Sequence, residues 1–340
     1  MADASFALPE AALADYLARH VEGFRRPLTA TKFKGGQSNP TYLVEAASGR
    51  YVLRRKPPGT LLPSAHAVDR EFRVLRALGD SAVPVARALH LCEDTSVIGT
   101  MFYLMEHVDG RVFWDPALPE LDERQRSACY DALITTLSAL HAVDVDVAGL
   151  SNFGKPGNYF ARQLARWSGQ YRASETQPIA AMDTLIAELP RQCPPDDGRT
   201  ALVHGDYRID NLMFAHDGPR ILAVMDWELS TLGHPLADLC YLCMALRLPA
   251  QPPLPGLAGK ARAPLGIPDE GALLRRYSEC SGTRVDADWP FVLAFSFFRL
   301  AAIAQGVARR AQQGNASSDQ AAQAGRMAAL LARMGVQALR

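Results

Sequence analysis

Residues 202–239 read LVHGDYRIDNLMFAHDGPRILAVMDWELSTLGHPLADL. An apolar run, Ala201-Leu202-Val203, breaks at His204-Gly205-Asp206, and a second apolar pair, Leu212-Met213, follows Asn211. A turn signal, Asp217-Gly218-Pro219, leads into a third apolar run from Ile221 to Met225 that ends on Asp226. The pattern predicts a loop feeding a β-hairpin with Asp217-Gly218 at its tip. Folding back the hairpin brings Asn211 and Asp226 near each other at its open end, with Asp206 at the mouth of the preceding loop. Two hard-oxygen side chains beside a third carboxylate are what a Mg²⁺-phosphate site needs, because Mg²⁺ takes few protein ligands and keeps its other positions for phosphate and water. The plainer alternative makes Asp206 a helix cap and leaves Asn211 and Asp226 in ordinary turns.

Asn211 follows Asp206 by five positions, and Asp226 comes fifteen after that. His-x-Asp-x4-Asn followed by a strand-terminal Asp resembles the catalytic loop and metal-binding Asp of the protein-kinase-like fold. His204-Gly205-Asp206, with Asp226-Trp227 in place of Asp-Phe-Gly, resembles its aminoglycoside phosphotransferase (APH) branch. The resemblance implies an α+β, bilobal, protein-kinase-like (APH-type) fold with a small antiparallel-sheet N-lobe and a mainly helical C-lobe. It also implies ATP and Mg²⁺ as cofactors, Asp206 as catalytic base, and Asn211 and Asp226 as metal ligands.

The size of the chain agrees. Its 340 residues suffice for two lobes, and 48% hydrophobic with 21% charged residues is ordinary globular composition. Thirty-six basic residues balance thirty-six acidic ones, which predicts neither nucleic acid nor membrane as a partner. Six cysteines are sparse and unpatterned; Cys240-x-x-Cys243 lies in an apolar run without a second pair and reads as buried thiols. No signal-peptide core stands at the N-terminus, and the apolar stretch 291–307 contains Arg299 and Gln305, so a buried helix is expected there rather than a membrane span. A reducing, cytoplasmic location follows.

Residues 9–24 have Leu13, Leu17, Val21 and Phe24 at helical spacing. Two strands are expected at 41–45 and 51–55, preceded by Lys34-Gly35-Gly36-Gln37-Ser38-Asn39. Glycines and small polar residues leading into a strand can present backbone N–H groups to phosphate oxygens. By resemblance, Gly35, Gly36, Gln37, Ser38 and Asn39 form the nucleotide-covering loop, and Val52 belongs to the nucleotide site. Matching Tyr51-Val52-Leu53-Arg54 to Val-Ala-Ile-Lys places Arg54 on the position of the phosphate-binding lysine, a departure that keeps the charge but changes the reach. Lys56, on the same strand face, is the second choice. Glu71, on a helix with Phe72, Leu75 and Leu78, is assigned as the partner of Arg54. The strand MFYLMEHVDG (101–110) resembles the hinge, where backbone groups from Glu106 to Val108 would meet adenine. The expected division is therefore 1–107 for the nucleotide-binding lobe and 108–340 for the catalytic and substrate-binding lobe.

Beyond the hinge, helices are expected at 122–141, 158–173, 270–281, 290–310 and roughly 317–339, with a polar loop at 190–198. Asp238, opening a helix after Gly233-His234-Pro235, is expected to brace the loop containing His204. Arg208 aligns with a lysine that contacts the γ-phosphate in protein kinases. Residues 249–268 are rich in Pro and Gly and form a surface excursion or a substrate lid.

No activation segment separates Asp226 from the following helix, which disfavours a protein substrate. From 291 to 340 six arginines face one acid, Asp319, which suits an anionic small molecule better than a polycationic antibiotic. Trp167, Glu228 and Arg299 are the candidate substrate contacts; an ion pair between Arg299 and Glu228 is an equal alternative. FKGGQSNPTYLV, YVLRRKPPG, HGDYRIDN, DWELSTLGHPLADL and FRLAAIAQG together resemble the kinase-like phosphotransferases related to the segment fused to acyl-CoA dehydrogenases in animals. That resemblance implies an ATP-dependent kinase acting on a hydroxy acid or hydroxyacyl-CoA. An antibiotic O-phosphotransferase is the enzymatic alternative, and a nucleotide-binding pseudokinase the non-enzymatic one.

Overall fold

The computed structural model describes residues 7–33, 39–57, 66–250, 255–285, 288–312 and 321–340. In chain order the elements begin α1 (Glu10–His20), β1 (Leu28–Lys32), β2 (Thr41–Ala46), β3 (Gly49–Arg55), α2 (Val68–Leu78), β4 (Ala88–Cys92), β5 (Phe102–Glu106) and β6 (Arg111–Val112). Next come α3 (Glu123–His141), α4 (Tyr159–Ser174), α5 (Ala180–Gln192), β7 (Ala201–Val203), β8 (Leu212–Phe214), β9 (Ile221–Val224) and β10 (Thr231–Gly233). The chain finishes with α6 (Leu236–Met244), α7 (Glu270–Ser281), α8 (Trp289–Gln312) and α9 (Ala321–Ala338).

Two compact units emerge. The first comprises Met1–Arg111, Leu212–His216 and Ile221–Leu229; the second comprises Val112–Asn211, Asp217–Arg220 and Ser230–Arg340. A single cut at 107/108 therefore differs from the observed division. The strands of the expected hairpin belong with the first unit, where the Val224 N–H donates to the Pro84 carbonyl.

In the first unit an antiparallel sheet runs β1-β2-β3-β5-β4. Alternation decides its faces: Tyr42, Val44, Leu53, Phe102 and Leu104 pack with Leu13 and Leu17 of α1 into one apolar core. Register then sets Arg54 opposite Tyr103, directed away from that core. On α2 the buried positions Val68, Glu71, Leu75 and Leu78 repeat at i, i+3, i+7 and i+10. Glu71 thus occupies a core position of an otherwise apolar stripe, which is why its carboxylate turns inward. Phe72, expected on that stripe, is only half-buried.

The second unit is mainly helical. An Asp122 capping box with Gln125 starts α3. Helix α5 covers a stretch with no expected element and runs three residues into the expected loop 190–198, ending at Gln192. Its stripe Met182, Leu185 and Leu189 is nonetheless regular, and Pro190 falls in the last turn, where few backbone bonds remain to be lost. Strand β10 pairs with β7, Thr231 opposite Val203 and Gly233 opposite Ala201, which anchors the start of the His204 loop. All nine residues of α6 are buried, so this helix is core on every side. Cys240 and Cys243 on α6 are unbridged, and burial pushes both thiols up. Helix α8 is long and apolar enough to cross a membrane by length and composition, and 78% of its most apolar window is buried inside the unit.

Candidate active site

In the first unit the chemistry centres on Arg54. Its Nε lies 3.1 Å from Glu71 Oε2, and its Nη2 donates to Asp226 Oδ1 at 2.6 Å, with Glu228 at 3.9 Å. Burial opposes the charge on Arg54, but the facing carboxylates of Glu71 and Asp226 outweigh it and raise the pKa. Burial likewise pushes the Glu71 carboxyl up. Against it stand Arg54, the Tyr103 hydroxyl donating to Oε2 at 3.0 Å, and Asn39 Nδ2 donating to Oε1 at 2.7 Å. Two donors, Tyr103 and Asn39, and the facing Arg54 guanidinium thus surround one carboxylate. His66 Nδ1 sits 3.0 Å from Asn39 Oδ1 and completes the network.

Asp226 adopts φ +62°, a left-handed conformation that Asp tolerates better than most residues. Strain of this kind collects at functional sites. The conformation turns the chain from β9 into the 3₁₀ turn Trp227–Leu229, whose indole donates to the Val224 carbonyl at 3.1 Å. Leu212 pairs with Val224, so Asn211 immediately precedes one hairpin strand and Asp226 closely follows the other. Lys56, the alternative cation, instead lies 3.7 Å from Asp69. Val52 is half-buried and registers between Leu43 and Met105. The Glu106 N–H donates to the Arg87 carbonyl, and its Oε1 accepts from the Arg87 N–H; Val108 is half-buried. Gly35, Gly36, Gln37 and Ser38 lie outside the described residues.

In the second unit the loop after β7 is braced from beneath. Asp238, fully buried, accepts from the backbone N–H of His204 at 2.6 Å and of Gly205 at 2.8 Å. Gly205 has φ +84°, a conformation glycine adopts at no steric cost. Burial works against the Asp238 charge, yet His141, His204 and the Gly205 N–H hold its pKa below the ordinary value. His141 is held in turn by the Tyr277 hydroxyl at 2.7 Å. His204 Nδ1 accepts from the Asp206 N–H at 3.2 Å, which selects the tautomer protonated on Nε2. Buried Tyr207 donates to the Leu133 carbonyl at 2.9 Å and pins the loop to α3.

Asp206 is thereby fixed at backbone and side chain. Asn211 Nδ2 donates to its carbonyl at 2.9 Å and to Oδ2 at 3.0 Å, which leaves Oδ1 as the acceptor of that amide. Arg208 Nε lies 3.1 Å from Asp206 Oδ1, and Nη2 lies 3.2 Å from Asp210 Oδ2. Burial first, then the nearby Asp206 carboxylate, drive the Tyr241 phenol well above its usual range.

Arg299 and Trp167 are interior, 6% and 8% exposed. Arg299 Nη2 donates to the Gly205 carbonyl at 2.6 Å, and its guanidinium carbon lies 5.6 Å from the ring centres of both Trp167 and Tyr241. Of the three expected substrate contacts, Arg299 and Trp167 therefore meet each other, Arg299 also holds the loop, and Glu228 stands near Arg54 in the first unit. Tyr241, Tyr103, Asp210 and His141 were missed by sequence reading. Tyr241 lies three past Asp238 on an apolar helix, where nothing distinguishes it from a core aromatic.

The model of the phosphotransferase enzyme family (APH) matches residues 29–280. Acyl-CoA dehydrogenase family member 10 of Mus musculus is 47% identical over 335 residues, which cover 97% of this chain and 31% of that protein. Acyl-CoA dehydrogenase family member 11 of Rattus norvegicus is 44% identical over 311 residues, covering 89% and 40% respectively. The chain thus spans well under half the length of these two relatives. Among solved structures, a Ralstonia eutropha JMP134 protein provisionally labelled an aminoglycoside phosphotransferase shares 47% identity at a TM-score of 0.89, with 98% of each chain covered. A thermostable mutant of aminoglycoside phosphotransferase APH(4)-Ia is 17% identical at a TM-score of 0.62, covering 96% and 99%, a likeness of fold. The matched span includes the Arg54–Glu71 pair, the braced Asp206 loop and the Asp226 turn: this chain belongs to the phosphotransferase enzyme family and has its protein-kinase-like fold.

Proposed function

We propose that the chain is an ATP-dependent, Mg²⁺-requiring small-molecule kinase that transfers the γ-phosphate to an alcohol, with a hydroxy acid or hydroxyacyl-CoA as acceptor. The observation that carries the reading is the Asp206 carboxylate, held between Asn211 Nδ2 and Arg208 Nε on a loop whose backbone N–H groups are tied to Asp238. A general base must be held in place to accept a proton at the moment of transfer, and this one is constrained on both sides.

Asp206 accepts the hydroxyl proton of the acceptor and orients its oxygen for in-line attack. Arg208 offers positive charge where negative charge gathers on the oxygens of the transferring phosphoryl. Asn211 Oδ1 and the Asp226 carboxylate are hard oxygen donors of the kind that hold Mg²⁺, and the ion supplies charge neutralisation of the phosphates. Arg54 holds the α- and β-phosphates and is kept in place by Glu71. Gly35, Gly36, Gln37, Ser38 and Asn39 cover the nucleotide, with Val52, Glu106 and Val108 at the base. Asp238 and His204 support the loop. Two structural neighbours, ternary complexes of APH(4)-Ia with hygromycin B and either ADP or AMP-PNP, support nucleotide use and a small-molecule acceptor. The acyl-CoA dehydrogenase relatives support the hydroxyacyl class over an antibiotic.

The test is phosphoryl transfer from ATP to a panel of hydroxyacyl-CoA thioesters, free hydroxy acids and aminoglycosides, with nucleotide affinity measured beside it. Transfer to the first two classes is expected. Tight ATP binding without transfer to any member would favour a pseudokinase.

A further inference from the structure

The second unit contains an open cleft with a mainly apolar lining. Its floor comes from α3 through Tyr130 and Leu133 and from the α6 region through Leu242, Met244 and Leu248, with Leu300 of α8 closing one side. The lining carries two charged residues, Arg208 and Asp210, and both belong to the Asp206 loop. Arg208, which lines the cleft, pairs with the Asp206 carboxylate at 3.1 Å, and Tyr241, which also lines it, lies near that carboxylate. The cleft thus shares Arg208 with the Asp206 ion pair, and its remaining lining is mainly apolar. At its rim stands Trp114, whose 74% exposure makes it one of the few large apolar side chains left in water among the described residues.

We infer that this cleft binds the unbranched apolar tail of the phosphoryl acceptor, with Trp114 as the rim contact and Met244, at the end of α6, and Leu248 beyond it setting tail length. The inference rests on the kinase reading above for the identity of the Asp206 end. A polyhydroxylated acceptor would strand its hydroxyls against leucine and methionine without partners, at a cost no apolar wall offsets. An alkyl tail leaves water at each methylene and loses nothing. The hydroxyl to be phosphorylated would stand at the Arg208 end, and the tail would run along α6.

Two measurements test this. The first is kcat/KM over a homologous series of hydroxy acids with lengthening alkyl tails, alongside polyhydroxylated acceptors of similar size. A rise of about fourfold per added methylene is expected until the cleft is full, and Ala245→Trp, which fills it, should abolish the rise. Trp114→Ala should weaken the longest acceptors most. The second is calorimetry with the corresponding unhydroxylated acids, which reads the cleft without turnover, with thermal melts of each variant as the folding control. Affinity that grows with tail length and is lost in Ala245→Trp upholds the cleft even if no acceptor is phosphorylated, and in that case only the kinase reading falls. Transfer indifferent to tail length, or tail-dependent binding that Ala245→Trp leaves unchanged, overturns the inference and leaves the kinase reading standing.

Discussion

Arg299 donates to the carbonyl oxygen of Gly205 at 2.6 Å, across 94 positions of sequence, from between the rings of Trp167 and Tyr241. An unpaired guanidinium inside a helical core would be costly. Here two aromatic faces and a carbonyl receive it. The arrangement couples α4, α6 and α8 to the loop that presents Asp206.

Arg299→Ala should lower kcat by roughly ~10²-fold, the effect of a base displaced by about an ångström, while the Kd for ATP changes little. Arg299→Lys should fall between, because an ammonium neither stacks nor forks as a guanidinium does. Single-turnover kinetics and ATP titration check this. A fall in Tm with kcat intact well below the melt would reduce Arg299 to a packing residue.

Asp206→Asn should leave nucleotide affinity nearly unchanged and cut turnover by at least ~10²-fold, the scale of a positioned proton acceptor. Rapid-quench measurement of the transfer step is the readout. Turnover at the wild-type rate would remove the role given to that carboxylate.

Glu71→Ala leaves Arg54 buried with one partner fewer, and breaking a buried pair in this way costs about 3–5 kcal/mol. Arg54 retains Asp226, so the lower end is expected. A double-mutant cycle with Arg54→Met, read by urea denaturation, should give a coupling of at least ~1 kcal/mol. Additive effects would mean that the two groups do not interact.

Stability should decline with acid in two stages. Burial, outweighing the Asp197 contact, lowers the His234 pKa, so the unfolded chain takes the proton first. Stability therefore falls as pH drops below about 6.5, the unperturbed histidine value. The Asp238 pKa is depressed below the carboxylate range, and Asp197, against burial, is held at about 2 by Arg199 and His234. Their contribution is complete above about 4 and is lost as pH falls toward the folded values. Thermal melts across pH should show both stages, and His234→Gln should shrink the upper one, leaving the part due to His90, whose pKa burial also lowers. A single acid transition in the wild type would refute the assignment to His234.

What could be read from the chain alone was short-range. The hairpin strands follow from apolar runs around Asp217-Gly218, and Leu75 and Leu78 of the α2 stripe from their spacing, because backbone chemistry and side-chain periodicity act over a few residues. The neighbour of Arg299 was decided elsewhere. A charge in an apolar helix must find a partner, but periodicity says only that it turns inward; packing of α4, α6 and α8 supplied the Gly205 carbonyl and two rings in place of a ligand or Glu228. Tyr241 came to lie near Asp206, the hairpin strands joined the first unit and the apolar cleft opened beside Arg208 for the same reason: each depends on which surfaces bury one another, a property of the assembled core that no local stretch encodes.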